Sequence, residues 1–291
     1  MKNQYLSGLL ICIFSFTAAA QTNSWLQNYG SPGDESIVDL RVTAGDSVVM
    51  AGTLDSGSTS LGAFSLDNLG SSPRDYSTVL AKFDQAGNAA RALALGGTGQ
   101  RSASAMDVDA SGNIYLLGYF KNEVDIDPLG SGDTLNLFGD CDIFLAKYSP
   151  SGNFPWSQHL FSGMGGDFSP EDIGADNNGN VYISGEFKAG DVYLKNFSDT
   201  IFQPAGASNY ASLIQLNANN GAMNWVNTYS YDPAASSTKA PALNAIDVDA
   251  SSNIYLGGVP VFQLAMNILL ALSLNPAEAF IRRRLAKKKE S

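Results

Sequence analysis

The chain has 291 residues, 44% of them hydrophobic and only 15% charged, with a formal net charge of −11. Globular proteins carry about 25% charged residues, so the polarity here comes from Ser, Thr, Asn and 29 Gly. This excludes a charge-laced helical protein, and the apolar content excludes a disordered one. Residues 1–258 sum to −15 and residues 259–291 to +4; the acidic body has no basic surface for nucleic acid.

Residues 1–20 read as a secretory signal peptide. Lys2 supplies the positive start, Leu6–Phe16 an apolar run too short to span a bilayer, and Ala18-Ala19-Ala20 a small-residue cleavage site. Cleavage near Gln21 removes Cys12 and leaves Cys141, so no internal disulfide forms in the mature chain. Cys141 lies between Asp140 and Asp142, a setting that disfavours a thiolate.

Residues 21–258 are a tandem repeat. Asp107–Gly118 reads DVDASGNIYLLG and Asp247–Gly258 reads DVDASSNIYLGG. Gly174–Gly185, GADNNGNVYISG, and Arg41–Gly52, RVTAGDSVVMAG, are degenerate copies, and the closing glycines are 66, 67 and 73 residues apart. A second phrase recurs between them, as LAKFDQAGN (80–88), LAKYSPSGN (145–153) and the weaker IQLNANNGA (214–222). Trp156 and Trp225 each follow the turn glycine by four residues, Arg91 holds that place in the earlier copy, and Trp25 begins the earliest matching strand.

Each phrase is physically a hairpin: two alternating segments meet at a Gly/Asn turn whose residues tolerate positive φ. Two hairpins per period predict four-stranded blades, with long loops such as Lys121–Asp140 between them. The expected fold is all-β, a β-propeller-type array of about 3.75 four-stranded blades, incomplete, with a helical C-terminal tail. A β-solenoid is the alternative, with a shorter and less interrupted repeat.

The order D-x-x-G-N-x-Y, closing Gly, long loop, DIFLAKY (Asp142–Tyr148), S-G-N and Trp resembles the SBBP-type β-propeller repeat over roughly residues 24–258. The resemblance implies a secreted bacterial protein and carries no assigned chemistry. The chain departs from the pattern in its degenerate first copy and in Gln215, which replaces the Lys of Lys82 and Lys147.

Residues 259–291 break the pattern. Val259-Pro260 stand where a further strand would continue, and Pro cannot donate to a central ladder. Val261–Leu274 is apolar and Arg282–Lys289 carries six positive charges. Three readings stay open: a membrane anchor obeying the positive-inside rule, a packed or surface helix capping the array, and an end where the reading frame leaves the propeller sequence. A membrane is a partner only under the first.

Candidate chemistry is sparse. Asp107, Asp109, Ser111 and Asn113 match the opening of a calcium loop, whose alternate residues can turn oxygens inward. The bidentate Glu of such a loop is replaced by Gly118. The competing reading is that these side chains cap their own turn. His159 is the sole histidine, which excludes a His-based zinc cluster, and its strand position Trp156–Leu160 suits a structural role. Glu123, Asp125 and Asp127 read as a solvated acidic loop, and Gly96-Gly97-Thr98-Gly99 as a turn. The expected function is a non-catalytic binding or structural module, exported or on the cell surface, with an extracellular protein or glycan as partner and no cofactor. The alternative is a propeller enzyme acting on extracellular polysaccharide, which needs carboxylates such as Asp107, Asp176 and Asp249 to converge.

Overall fold

The computed structural model describes residues 35–55, 57–68, 75–162, 167–188, 192–194, 200–201, 209–230, 242–259 and 272–274. Within them the protein is all-β, with antiparallel sheets and no helix. The chain divides into two compact units, Met1–Ala103 with Lys121–Asn136, and Ser104–Phe120 with Leu137–Ser291.

The first unit opens with β1 (Glu35–Val42) and β2 (Val48–Leu54), followed by a small hairpin, β3 (Ser58–Leu61) and β4 (Phe64–Asp67). Next come β5 (Ser77–Phe83) and β6 (Ala89–Ala94), giving a four-stranded sheet ordered β1-β2-β5-β6. Val48, Leu54, Val79, Ala81 and Phe83 are buried in it with Leu61 and Leu66 of the small hairpin. Strand β7 (Arg101–Val108) leads into β8 (Ile114–Phe120). The hairpin of β9 (Glu123–Asp125) and β10 (Thr134–Asn136) then belongs to the first unit.

In the second unit β11 (Asp142–Tyr148) and β12 (Trp156–Ser162) complete the order β7-β8-β11-β12. The next repeat gives β13 (Asp167–Ala175), β14 (Asn180–Lys188), a short hairpin of β15 (Val192–Leu194) and β16 (Thr200–Ile201), then β17 (Asn209–Asn217) and β18 (Met223–Ser230). Its main sheet runs β13-β14-β17-β18. Strands β19 (Ala242–Val248), β20 (Ile254–Val259) and β21 (Leu272–Leu274) form a three-stranded sheet.

The middle strands are buried on both faces, not on alternate residues alone. Every residue of β11 is buried, and Ile143, Phe144 and Leu145 are at most 1% exposed. Two-sided burial follows from sheets stacked face to face, as in the core of Tyr115, Leu117, Ile143, Ile173, Ile183 and Ile214. Each such aliphatic or aromatic side chain contributes about 1.5–3 kcal/mol of transfer free energy.

Two of the long loops carry short strands of their own. Strand β15 pairs with the outer strand β12, Leu160 opposite Leu194 and Ser162 opposite Val192, which extends that sheet to six strands. In the first unit β9 lies along the segment after β6 through reciprocal bonds between Gly96 and Asp125. The β15 addition covers a strand edge that would otherwise invite foreign pairing. Glu123, Asp125 and Asp127 are therefore half-buried residues of a hairpin and its loop, a correction to the solvated-loop expectation.

The glycine run is the seat of that hairpin. Gly97 and Gly99 have φ of +112° and +81°, and a Cβ at Gly99 would run into Lys121 O. The signal peptide, the Trp25 strand and residues 260–271 and 275–291 lie outside the described residues. Of the tail, Val259 ends β20 opposite Ala242, and Leu272–Leu274 is strand and pairs with Ile254–Leu256.

Gly99→Ala should lower stability by about 3 kcal/mol, since strained backbone and overpacking add. Gly57→Ala, with φ of +79° but open space around it, should cost about 1 kcal/mol. Urea midpoints of the two variants compare them; equal losses would contradict the seat.

Candidate functional site

The repeat phrases build one turn several times. In the first hairpin of three repeats an aspartate backbone N–H bonds the carbonyl of the residue four on: Asp109 to Asn113, Asp176 to Asn180 and Asp249 to Asn253, each at 3.0 Å. The residue three after the aspartate needs positive φ, and Gly112 (+80°) and Gly179 (+83°) take it without strain. Ser252 holds the same place at +63°, and its Oγ accepts from Asn178 Nδ2 at 2.7 Å. That bond explains the loss of glycine there. In the degenerate first copy Asp46 adopts +54°, and Thr43 Oγ1 accepts from Ser47 N.

The turn carboxylates are engaged by their own hairpins. Asp109 Oδ1 accepts from the backbone N–H of Ser111 and Asn113, both at 2.9 Å, and Oδ2 from Asn113 Nδ2 (2.8 Å) and the Tyr115 hydroxyl (2.9 Å). Asp176 makes the same four bonds with Asn178, Asn180 and Tyr182. Asp249 repeats them with Ser251, Asn253 and Tyr255. In the second hairpin of the first unit, Asp84 serves the N–H groups of Ala86 and Asn88 likewise. Backbone and side-chain bonds from Asn88 hold the Asp84 carboxyl below the usual range, and those from Asn253 do so for Asp249. Burial, then the neighbouring aspartates, raises Tyr115, and burial pushes Tyr182 up to about 12.

A cross-strand row runs from each turn. Lys147 sits opposite Tyr115 on one side and Trp156 on the other; Gln215 sits likewise between Tyr182 and Trp225. Lys147 Nζ (2.7 Å) and Trp156 Nε1 (3.1 Å) both donate to Ala218 O in the next repeat's turn. The ammonium also lies 5.3 Å from the Tyr115 ring centre, and burial pushes its pKa down. Gly221 in that turn (φ +74°) lies against Trp156, so the aromatic needs its glycine partner in the following repeat. Gln215 instead donates to the Tyr182 hydroxyl at 3.0 Å.

Other links join successive first strands. Asp107 Oδ2 accepts from Ala175 N across the repeat boundary at 2.7 Å. Asp172 binds its own neighbour Ile173 N through Oδ1 (2.8 Å) and Ile246 N of the next repeat through Oδ2 (2.7 Å). The four predicted calcium-site residues are therefore split: Asp107 faces the next repeat, while Asp109, Ser111 and Asn113 close their own turn. Among the described residues no group of three or more His, Cys, Asp or Glu is placed to hold a metal ion.

Two arrangements were not visible in the sequence. His159 Nε2 lies 2.9 Å from Asp142 Oδ2, and the same carboxylate accepts from the N–H of Phe138 (2.7 Å) and Gly139 (3.2 Å), tying the loop to the sheet. The imidazole is 3% exposed, near the rings of Phe120 and Phe138. In the first unit the fully buried Arg101 donates to Gly99 O (2.6 Å) and Ser77 Oγ (3.0 Å), and Ser77 donates on to Asn68 Oδ1 (2.8 Å). Cys141 is half-buried. Compared with protein-family models and with curated proteins, the chain matches none.

Removing calcium with a chelator should leave the thermal midpoint unchanged. A midpoint that falls with chelator and returns with calcium would contradict a self-closed turn. Acid should destabilise the protein. The folded pKa values of Asp84 and Asp249 lie below the unfolded value near about 3.9, so their contribution is complete above that value. It is lost as pH falls through the folded values. An Asp84→Asn/Asp249→Asn variant should show a shallower fall in midpoint between pH 5 and pH 2; an identical slope would contradict the assignment.

Proposed function

We propose that the chain is an exported β-propeller-type repeat protein, of the SBBP kind its phrases resemble, acting as a non-catalytic binding or structural module. The observation that carries this reading is the use made of the carboxylates: Asp109, Asp176 and Asp249 each serve a separate hairpin turn, and Asp107 serves the next repeat. Carboxylates spent on backbone N–H groups are poor general acids and nucleophiles, which need a free face toward substrate. Recognition then falls to the long loops, held on a rigid scaffold.

Export rests on residues 1–20. No described helix is long and apolar enough to cross a membrane. The proposed ligand class is an extracellular glycan or protein, with no cofactor. The test uses protein exported from cells expressing the full chain, whose N-terminus should be at or near Gln21. Incubated with a panel of soluble polysaccharides, it should release no new reducing ends. Release that disappears in a carboxylate variant such as Glu123→Gln would overturn the non-catalytic reading, and a chain retained inside the cell with its leader intact would overturn export.

A further inference from the structure

The first strands β1, β13 and β19 each lie at the edge of their sheet. In an antiparallel pair, alternate N–H groups point toward the partner strand and away from it. Asp176 N bonds within its hairpin, so Ala175 N points out of the sheet, where Asp107 of the preceding repeat captures it. The carboxylate stands two residues before its turn aspartate and the N–H one residue before.

Both halves of this link recur unused. Asp247 stands two residues before Asp249, as Asp107 does before Asp109; it is exposed and has no partner among the described residues. Val42 stands one residue before Thr43, which fills the turn position. Thr43 N bonds Ser47 O, so Val42 N points away from β2, with no partner among the described residues. Strand β1 also leaves Ile37, Val38 and Val42 exposed, at 41%, 36% and 51%. Arg41 beside Val42 is paired with Asp39 of the same strand, so the proposed contact rests on the Val42 N–H and the exposed apolar face.

We propose that the edge of β19 docks strand β1 of a second copy of this chain, the Asp247 carboxylate accepting from Val42 N–H of that copy. The interface continues the Asp107–Ala175 contact from one chain to the next. It is head to tail, so it builds rings or open chains, not an isologous dimer. The inference rests on repeat register and does not depend on export or on the absence of catalysis.

Sedimentation velocity of the full chain tests it. The mean mass should rise with concentration from the micromolar range upward. Asp247→Asn should weaken association about tenfold, the effect of losing a charged acceptor. Asp247→Lys and Ile37→Asp should each be monomeric alone, with unchanged strand circular dichroism. Mixed, they should form a heterodimer and nothing larger, since one keeps β1 intact and the other keeps the β19 edge. A monomer at every concentration, association indifferent to these substitutions, or a mixture that stays monomeric overturns the proposal.

Discussion

An edge strand in an antiparallel sheet leaves every second backbone N–H pointing away from its own sheet, and each must find an acceptor or stay with water. The repeats meet this demand with aspartate. Ala175 N is taken by Asp107, Ile246 N by Asp172, and Ile173 N by the other oxygen of Asp172. In β1, Leu40 N is taken by its own neighbour Asp39 at 2.7 Å. In the second unit the first strands β13 and β19 are thus placed by polar bonds of fixed register, alongside the stacking of their apolar faces. Gly174 shows the coupling: a Cβ there would strike Ile246 and Val248 of the next repeat, at 3.0 and 2.9 Å.

The same economy governs the turns and the strand rows. One carboxylate serves four donors in each Asp109-type hairpin, and one carbonyl, Ala218 O, serves two donors from the preceding repeat. An acidic body with few cations can afford this because its acceptors are matched by backbone N–H, Asn amide and Tyr hydroxyl groups rather than by salt bridges. Chemistry that needs a free carboxylate is disfavoured at such turns. The loops between the hairpins, including β9–β10 and β15–β16, are free to vary while their strands add to or flank the outer edges.

Much of this was readable in the sequence for a physical reason. A hairpin turn is local, so the Asp, Gly, Asn and Tyr of DASGNIY fall within seven residues, and a period of 66–73 residues repeats them visibly. What joins the repeats was not readable. Asp107 and Ala175 are 68 residues apart, and nothing near Asp107 separates its role from that of Asp109 two positions on. Glu123 and Asp125 looked like a solvated loop because a three-residue strand is too short to show alternation. Asp142 and His159 meet only through the register of β11 with β12, and the hidden motive for Ser252 is a bond from Asn178 in another repeat.

Residue-resolved hydrogen exchange of the dilute protein tests the edge-strand links most directly. Amides of Ala175 and Ile246, which point away from their own sheets, should be protected as strongly as ladder amides in β8 and β11, while Val42 exchanges freely. In an Asp107→Ala variant, protection should fall at Ala175 and persist at Ile246. If Ala175 and Ile246 exchange as fast as Val42 in the unaltered chain, the carboxylates do not hold the repeats in register.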